Sequence, residues 1–185
     1  MENNFNKLQD VIDSKILNER KVFLWGQVDD NSAKQVIERL LYLELIQPKK
    51  EIQLIINSPG GYVTSGFAIY DAMKSITSPI STICSGLAAS MGSILLSAGE
   101  KGRRFVLPHA RVMIHQPSGG AGGTAADIEI QMDEILKTRK IGAEILAANC
   151  GKSLEQIMQD FNRDYWMSAK EAVSYGIVDG QLDKM

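Results

Sequence analysis

Ser90 lies where an uncharged stretch with strand character, Ile80 to Cys84, gives way to an apolar stretch with helix character. At such a junction a hydroxyl is held away from the backbone, and the first free N–H groups of the helix face whatever the hydroxyl attacks. The surrounding Ala-x-Ser-x-Gly pattern matches the nucleophile turn of hydrolases only in part, because Ala88 replaces the first glycine. Ser90 is therefore a candidate nucleophile, and a small packing residue is the alternative.

Two histidines are present in the chain, so an imidazole general base has to be one of them. His115 closes the apolar run Arg111 to His115, which leads into a Gln-Pro-Ser-Gly-Gly turn. Catalytic groups often lie on loops that follow strands, so this position suits a base. His109 follows Pro108 in a turn, where surface solvation explains it. We therefore take His115 as the candidate base; a histidine hydrogen-bonded at a strand end is the alternative.

Asp164 precedes two aromatic residues, Tyr165 and Trp166. We expect the rings to desolvate the carboxylate in part, and a carboxylate in that setting orients a histidine and stabilises the imidazolium. An ion pair with a neighbouring arginine is the alternative explanation.

A Pro-Gly-Gly turn, Pro59 to Gly61, follows the apolar strand pattern that begins at Ile55. Adjacent glycines let the backbone approach a ligand closely and leave N–H groups unshielded, as an oxyanion hole requires. An ordinary turn between a strand and a helix explains the same residues equally well.

Four separated motifs resemble those of the ClpP (caseinolytic) serine peptidases. They occur in that family's order and spacing, and the similarity covers nearly the whole chain after about residue 20. Agreement of four motifs is far more specific than any one of them. The motifs are INSPGG at Ile56 to Gly61, GLAASMGS at Gly86 to Ser93, MIHQP at Met113 to Pro117 and RDYWMSAKEA at Arg163 to Ala172.

This resemblance implies a role for each candidate residue. Ser90 would be the nucleophile, His115 the general base and Asp164 its orienting acid. The backbone N–H groups of Gly61 and Met91 would form the oxyanion hole. An extended peptide substrate would pair with the glycine-rich segment after His115, and main-chain pairing gives affinity with little sequence preference. The implied substrate-binding residues are Gly60, Val63, Pro117, Gly119, Gly120, Ala121 and Gly122.

The resemblance also implies an α/β fold, the spiral of repeated ββα units that ClpP shares with crotonases. We expect a single domain at residues 21–185 with a protruding handle of long helix and strand, preceded by an atypical, pore-proximal segment at residues 1–20. The family assembles as two stacked seven-membered rings, degrades unfolded polypeptides in a closed chamber, and works with a Clp unfoldase ATPase. A structural ring subunit that has lost catalysis and a crotonase-type acyl-CoA enzyme are the rival hypotheses, and both leave the serine, histidine and aspartate unexplained.

The sequence departs from the family pattern at a few informative positions. Gln53, Ile55 and Ser75 stand where the family usually carries aromatics that line the groove for an ATPase loop. Asn162 stands where an acid commonly helps two rings engage. Aromatic anchors dominate such contacts, so we predict weak ATPase docking on this ring and a paralogous ClpP partner.

The composition argues against nucleic-acid-binding, metal-binding and membrane proteins. A formal net charge of −2 gives no basic face for nucleic acid, and two histidines with two isolated cysteines offer no metal-ligand spacing, so we expect neither a metal nor another cofactor. The uncharged residues 75–99 contain too many hydroxyls and glycines for a lipid environment, so we expect no membrane association. Cys84 and Cys150 are expected to be free thiols, and with no secretory signal at the N-terminus this indicates a cytoplasmic protein.

Strand and helix patterns alternate along the chain, which predicts a largely parallel sheet. Helices are predicted after the caps Asp30 and Asn31, around Val63 to Met73, and from Thr124 to about Ala148. Two short helices are predicted to begin at Ser153 and Ser168, because each of these serines has Gln or Glu three residues on, the pattern of a capping box. The predicted strands are Lys21 to Leu24, Ile52 to Asn57, Ile80 to Cys84, Arg104 to Val106 and Arg111 to His115.

Overall fold

A mixed sheet flanked by helices forms the centre of the chain in this computed structural model, which describes the backbone of residues 2–184 and the side chains of residues 7–184. The strands are β1 Lys21–Trp25, β2 Ile52–Ser58, β3 Ile80–Ala89, β4 Arg104–Val106, β5 Arg111–Ile114, β6 Tyr165–Ser168 and β7 Gly180–Gln181. Parallel strands with the order β1-β2-β3-β4-β7 make up most of the sheet, β5 pairs with β3, and β6 pairs with β5.

The helices follow the strands in the alternation expected of an α/β domain, which confirms the predicted fold class. Their ranges are α1 Glu2–Asn18, α2 Asp30–Ile46, α3 Val63–Ser75, α4 Met91–Ser97, α5 Ala125–Cys150, α6 Leu154–Asp160 and α7 Ala169–Tyr175.

Helix starts agree with the sequence patterns to within one residue. Asp29 caps α2, one position before the predicted Asp30, because its side chain accepts the Ser32 N–H at 2.8 Å. Ser168 and Glu171 form the full reciprocal capping box on α7. The Ser153 hydroxyl accepts from the Gln156 N–H, but the reciprocal bond from the Ser153 N–H to the Gln156 side chain is not formed, and that side chain donates to Asp160.

The register between β2 and β3 shifts in the middle of the sheet. Ile56 pairs with Cys84 and Ser58 pairs with Ala88, so Asn57 alone lies opposite the three residues 85–87. Before this bulge β3 pairs with β4, and after it β3 pairs with β5. Strand β3 is therefore longer than predicted, and its second half runs toward the end of β5.

The core packs between one face of the sheet and the flanking helices. Leu24, Leu54 and Ile56 are completely buried on neighbouring strands, and Leu40 and Leu95 cover them from α2 and α4. Burying each such side chain stabilises the fold by about 1.5–3 kcal/mol. The strand ends beneath the candidate site are thus held by a well-packed scaffold.

A buried ion pair ties the C-terminal segment to the sheet. The Arg104 guanidinium, 4% exposed, contacts both carboxylate oxygens of Asp179, at 2.6 and 2.9 Å, and donates to the Asn149 carbonyl at 2.8 Å. Burial alone would raise the pKa of Asp179, but the hydrogen bonds from Arg104 outweigh burial and hold that pKa below its ordinary value.

The handle differs from the expected helix and strand. Helix α5 protrudes, and its buried residues begin only at Gly142, but residues 115–124 leading into it form no strand. Glycine-rich sequence has low strand propensity, and within residues 2–184 no strand pairs with this segment. The strand part of the predicted handle is therefore not formed here.

Both cysteines are free thiols, as predicted. Burial raises the pKa of the Cys84 thiol to about 12 and that of Cys150 to about 11, so both remain protonated at neutral pH. Among residues 2–184, no helix combines the length and the apolar character needed to cross a membrane.

Candidate active site

Ser90 occupies a sharp turn between the end of β3 and the start of α4, as the sequence predicts. Its backbone has φ 54° and ψ −123°, a region that residues with a side chain rarely adopt and that costs about 1–3 kcal/mol. Two hydrogen bonds hold the turn: the Ser90 N–H donates to the Met113 carbonyl at 3.0 Å, and the Ser93 hydroxyl donates to the Ser90 carbonyl at 2.6 Å. These bonds therefore hold the strained backbone of Ser90 in place, and the turn directs the hydroxyl away from the sheet.

His115 follows the last residue of β5 and faces Ser90. Its Nε2 lies 2.9 Å from the Ser90 Oγ, and its Nδ1 lies 3.1 Å from the Asp164 Oδ1. His109 is exposed in the turn between β4 and β5. The structure thus brings together the three side chains that the sequence singled out as candidate nucleophile, base and orienting acid, with His115 between the other two.

Asp164 is more exposed than the sequence suggested. Its side chain is 59% exposed in the single chain, and the two following rings turn elsewhere: Tyr165 packs on Tyr175, and Trp166 lies near the Arg111 guanidinium. The expected desolvation by the rings is therefore wrong. Asp164 pairs with His115 rather than with a neighbouring arginine, and solvent screens that pair.

The Pro-Gly-Gly turn touches the Ser90 turn through its backbone. A Cβ atom on Gly60 would lie 2.6 Å from the Ser90 Cβ and 2.9 Å from the Met91 nitrogen, and one on Gly61 would overlap the Val28 carbonyl oxygen. Both positions also have positive φ, so both require glycine.

The backbone N–H groups of Gly61 and Met91, the candidate oxyanion-hole donors, are not used by the turn or by the helix that carries them. The bridge between Val28 and the turn uses the Gly60 carbonyl and the Tyr62 N–H, which leaves the Gly61 N–H outside it. Met91 is the first residue of α4, so its N–H has no acceptor within the helix.

An apolar pocket opens beside Ser90. Val63 and Pro117, both predicted to contact substrate, line it together with residues that the sequence analysis did not identify: Phe67, Ile94, Thr138, Gly142 and Phe161. These residues come from α3, α4, α5 and the end of α6, and no local motif marks them. Only their tertiary placement assigns them to the site.

The glycine-rich segment after Pro117 is exposed and runs beside the start of α5. Both backbone groups of Gly122 are engaged by the Gln131 side chain, with the Gly122 N–H donating at 3.1 Å and its carbonyl accepting at 2.9 Å. A peptide that paired at Gly122 would have to displace Gln131, whereas Gly119, Gly120 and Ala121 are exposed on the same segment.

Gln116 links the loop that carries His115 to the loop that carries Asp164. Its N–H donates to the Phe161 carbonyl at 2.6 Å, and its side-chain nitrogen donates to the Asn162 carbonyl at 2.8 Å. Asn162, a departure from the family pattern, thus has an intramolecular partner beside the site.

A comparison with protein-family models finds that the model of the Clp protease family matches residues 4–184. The chain belongs to the Clp protease family. Membership implies a serine peptidase, and the α/β domain described above is consistent with the ClpP fold. The matched range of this Clp protease chain includes Ser90, His115 and Asp164 as well as nearly all of α1.

Proposed function

We propose that this chain is a serine endopeptidase, the proteolytic subunit of an ATP-dependent Clp protease that cuts unfolded polypeptides inside a closed ring chamber. The observation that carries the proposal is the contact series from Ser90 Oγ to His115 Nε2, 2.9 Å, and from His115 Nδ1 to Asp164 Oδ1, 3.1 Å. Family membership supports the peptidase class, and these contacts assign residues to the chemistry.

The first step is attack by Ser90 on the scissile carbonyl carbon. A carboxylate accepts hydrogen bonds, so the contact with Asp164 favours the tautomer with a proton on Nδ1, which leaves Nε2 free to accept the Ser90 proton. The N–H groups of Gly61 and Met91 then stabilise the negative oxygen of the tetrahedral intermediate.

The intermediate collapses when the protonated His115 gives its Nε2 proton to the leaving amine. The carbon–nitrogen bond breaks, the first peptide product departs, and the remaining acyl group stays esterified to Ser90. His115 then takes a proton from water, the resulting hydroxide attacks the ester, and Ser90 recovers its proton as the second product leaves.

The apolar pocket beside Ser90 has a volume of about 20 Å³ in this structure, room for about one water molecule, so it would have to widen to admit the substrate side chain that precedes the cleaved bond. Phe67, Ile94 and Phe161 offer only apolar surface there, so an apolar side chain gains burial and a charged one would be desolvated without a partner. Contacts with Gly60, Gly119, Gly120 and Ala121 would hold the peptide main chain without regard to its sequence.

Exposed apolar residues on α5 support self-association into rings. Large exposed apolar patches on a protein surface mark interaction sites. The residues are Ile128, Ile130, Met132, Leu136 and Ile141. We also place the protein in the cytoplasm, where a reducing environment keeps its two free thiols reduced.

His115→Asn is expected to lower peptide hydrolysis by about 10²–10⁴-fold, the usual contribution of a general base. His109→Asn serves as the matched control, because His109 is exposed in a turn and contacts neither Ser90 nor Asp164. Initial rates on an unstructured fluorogenic peptide, measured across the neutral pH range, give the comparison. Loss of activity in the His109 variant alone would show that His109, and not His115, is the general base.

Docking of the unfoldase ATPase is expected to be weak on a ring made of this chain alone. Gln53, Ile55 and Ser75 carry no aromatic ring. Gln53 is half-buried and Ile55 is buried, so these two also offer little side-chain surface to an ATPase loop. We therefore propose that a paralogous ClpP ring supplies the docking surface.

The purified homomer should cleave short peptides slowly and show little ATPase-dependent degradation of an unfolded protein. Addition of the paralogue should restore degradation, and inactivation of Ser90 in this chain should reduce it again. Robust ATPase-dependent degradation by the homomer would refute the paired-ring proposal while leaving the peptidase assignment intact.

A further inference from the structure

Asn57 lies where β3 exchanges one neighbouring strand for another. It is the single residue of β2 that faces the three bulged residues 85–87 of β3. On the far side of β2, the Gly26 N–H donates to the Asn57 carbonyl at 2.8 Å, so the Asn57 backbone is fixed to the edge of β1. The Asn57 backbone is therefore fixed to β1 on one side, while the Asn57 side chain contacts the irregular part of β3 on the other.

The Asn57 side chain replaces the missing ladder contact at the bulge. The Leu87 N–H donates to the Asn57 Oδ1 at 3.1 Å. Gly86, with φ +95°, lies against the same amide, and a Cβ there would approach the Asn57 Oδ1 to 2.8 Å. The amide and the glycine thus fit each other, and the irregular backbone keeps a hydrogen-bond partner.

The bulge determines the position of Ser90 relative to the Gly60–Gly61 turn and to His115. Two extra residues on β3 correspond to about 6–7 Å of strand, so a regular ladder would carry Ser90 past the Gly60 turn by that distance. After the bulge Ala89 pairs with Met113, which sets Ser90 beside the strand end that carries His115. The alignment of nucleophile, base and oxyanion donors therefore depends on this register shift.

We propose that Asn57 is a positioning residue for the Ser90 turn: its side-chain oxygen holds the β3 bulge in the register that brings Ser90 to His115 and to the Gly60–Gly61 turn. The inference rests on the proposed function, because its effect is measured as catalysis at Ser90. Asn57 itself takes no part in the bond-making steps.

The test compares Asn57→Leu with Asn57→Asp. Leucine has the same branching and nearly the same size but no acceptor, whereas aspartate keeps an acceptor at the position of Oδ1. Asn57→Leu should lower kcat for a fluorogenic peptide by about 10–100-fold with little change in KM, because misplacement of reacting atoms by about 1 Å costs that much. Asn57→Asp should restore most of the activity, and labelling of Ser90 by a serine-directed phosphonate should follow kcat in both variants.

Gln181→Leu is the matched control, since it is also an amide-to-leucine change on a strand of the same sheet, but Gln181 is exposed on β7, two strands away from β3. It should leave peptide hydrolysis unchanged. Should Asn57→Leu fail to fold or assemble, Asn57→Ala removes the acceptor without adding bulk and carries the same expectation. Wild-type kcat and labelling in the variant lacking the acceptor would overturn the inference, and so would equal impairment of Asn57→Asp. If the wild-type chain neither cleaves peptide nor reacts with the phosphonate, the proposed function itself fails.

Discussion

Ser90→Ala is expected to abolish peptide hydrolysis, with a loss of about 10⁴-fold or more in kcat, because no other hydroxyl can form the acyl-enzyme. The fold should survive the change. Alanine meets the same backbone strain at φ 54°, and the Ser90 backbone bonds to Met113 and Ser93 do not involve the hydroxyl. The measurement is the initial rate on an unstructured peptide, with native mass and unfolding midpoint recorded for the same preparation.

Ser174→Ala provides the control for the loss of a serine hydroxyl. Ser174 is exposed on α7, and its hydroxyl donates only to the Lys170 carbonyl of its own helix. Its variant should retain activity. Hydrolysis at the wild-type rate by the Ser90 variant would remove Ser90 as the nucleophile, whatever the state of the ring.

Asp179→Ala is expected to give the largest loss of stability, about 3–5 kcal/mol in the free energy of unfolding. The change leaves the Arg104 guanidinium, 4% exposed, without its carboxylate partner. It also removes the acceptor of the Gly102 and Arg104 N–H groups, at 2.7 and 3.0 Å. Urea unfolding at a fixed protein concentration gives the free energy.

Glu51→Ala is the matched control, because the neighbouring Arg103–Glu51 pair is largely exposed, at 45% and 39% for the two side chains. An exposed pair contributes about 0–1 kcal/mol. Similar losses in the two variants would contradict the argument from burial.

The buried pair also predicts the direction of a pH effect. Because the pKa of Asp179 is lower in the folded chain than its ordinary value, the pair stabilises the fold fully above the unfolded carboxyl pKa of about 3.9. That contribution is lost as the pH falls through the lower folded value. Replacement of Asp179 should therefore flatten the acid limb of the stability profile.

The residues that we propose to react could be identified as candidates from sequence because their types and local motifs carry the signal. Ser90 has its strand-to-helix junction, His115 is one of two histidines, and the Gly60–Gly61 pair marks a turn. The exposure of Asp164 could not be predicted, since it depends on where the neighbouring rings turn. Tyr165, on β6, packs on Tyr175 at the end of α7, and no local pattern predicts that contact.

Long-range pairing also explains which elements the sequence analysis missed. Strand β6 has two exposed aromatics, so it lacks the alternation of a half-buried strand, and only its antiparallel pairing with β5 defines it. Strand β7 has two residues and exists through its contact with β4. The pocket residues Thr138 and Phe161 likewise come to Ser90 from distant segments.

The pairing of β5 with β6 has a consequence for how the chain is made. Tyr165 pairs with Ile114, so the loop that carries Asp164 reaches His115 only after nearly the whole polypeptide has been synthesised and the sheet has closed. Contacts between segments so far apart in sequence form slowly during folding, because a long loop must be closed first. If the proposed function is right, we therefore expect a nascent or half-folded chain, in which Asp164 has not yet reached His115, to be inactive as a peptidase.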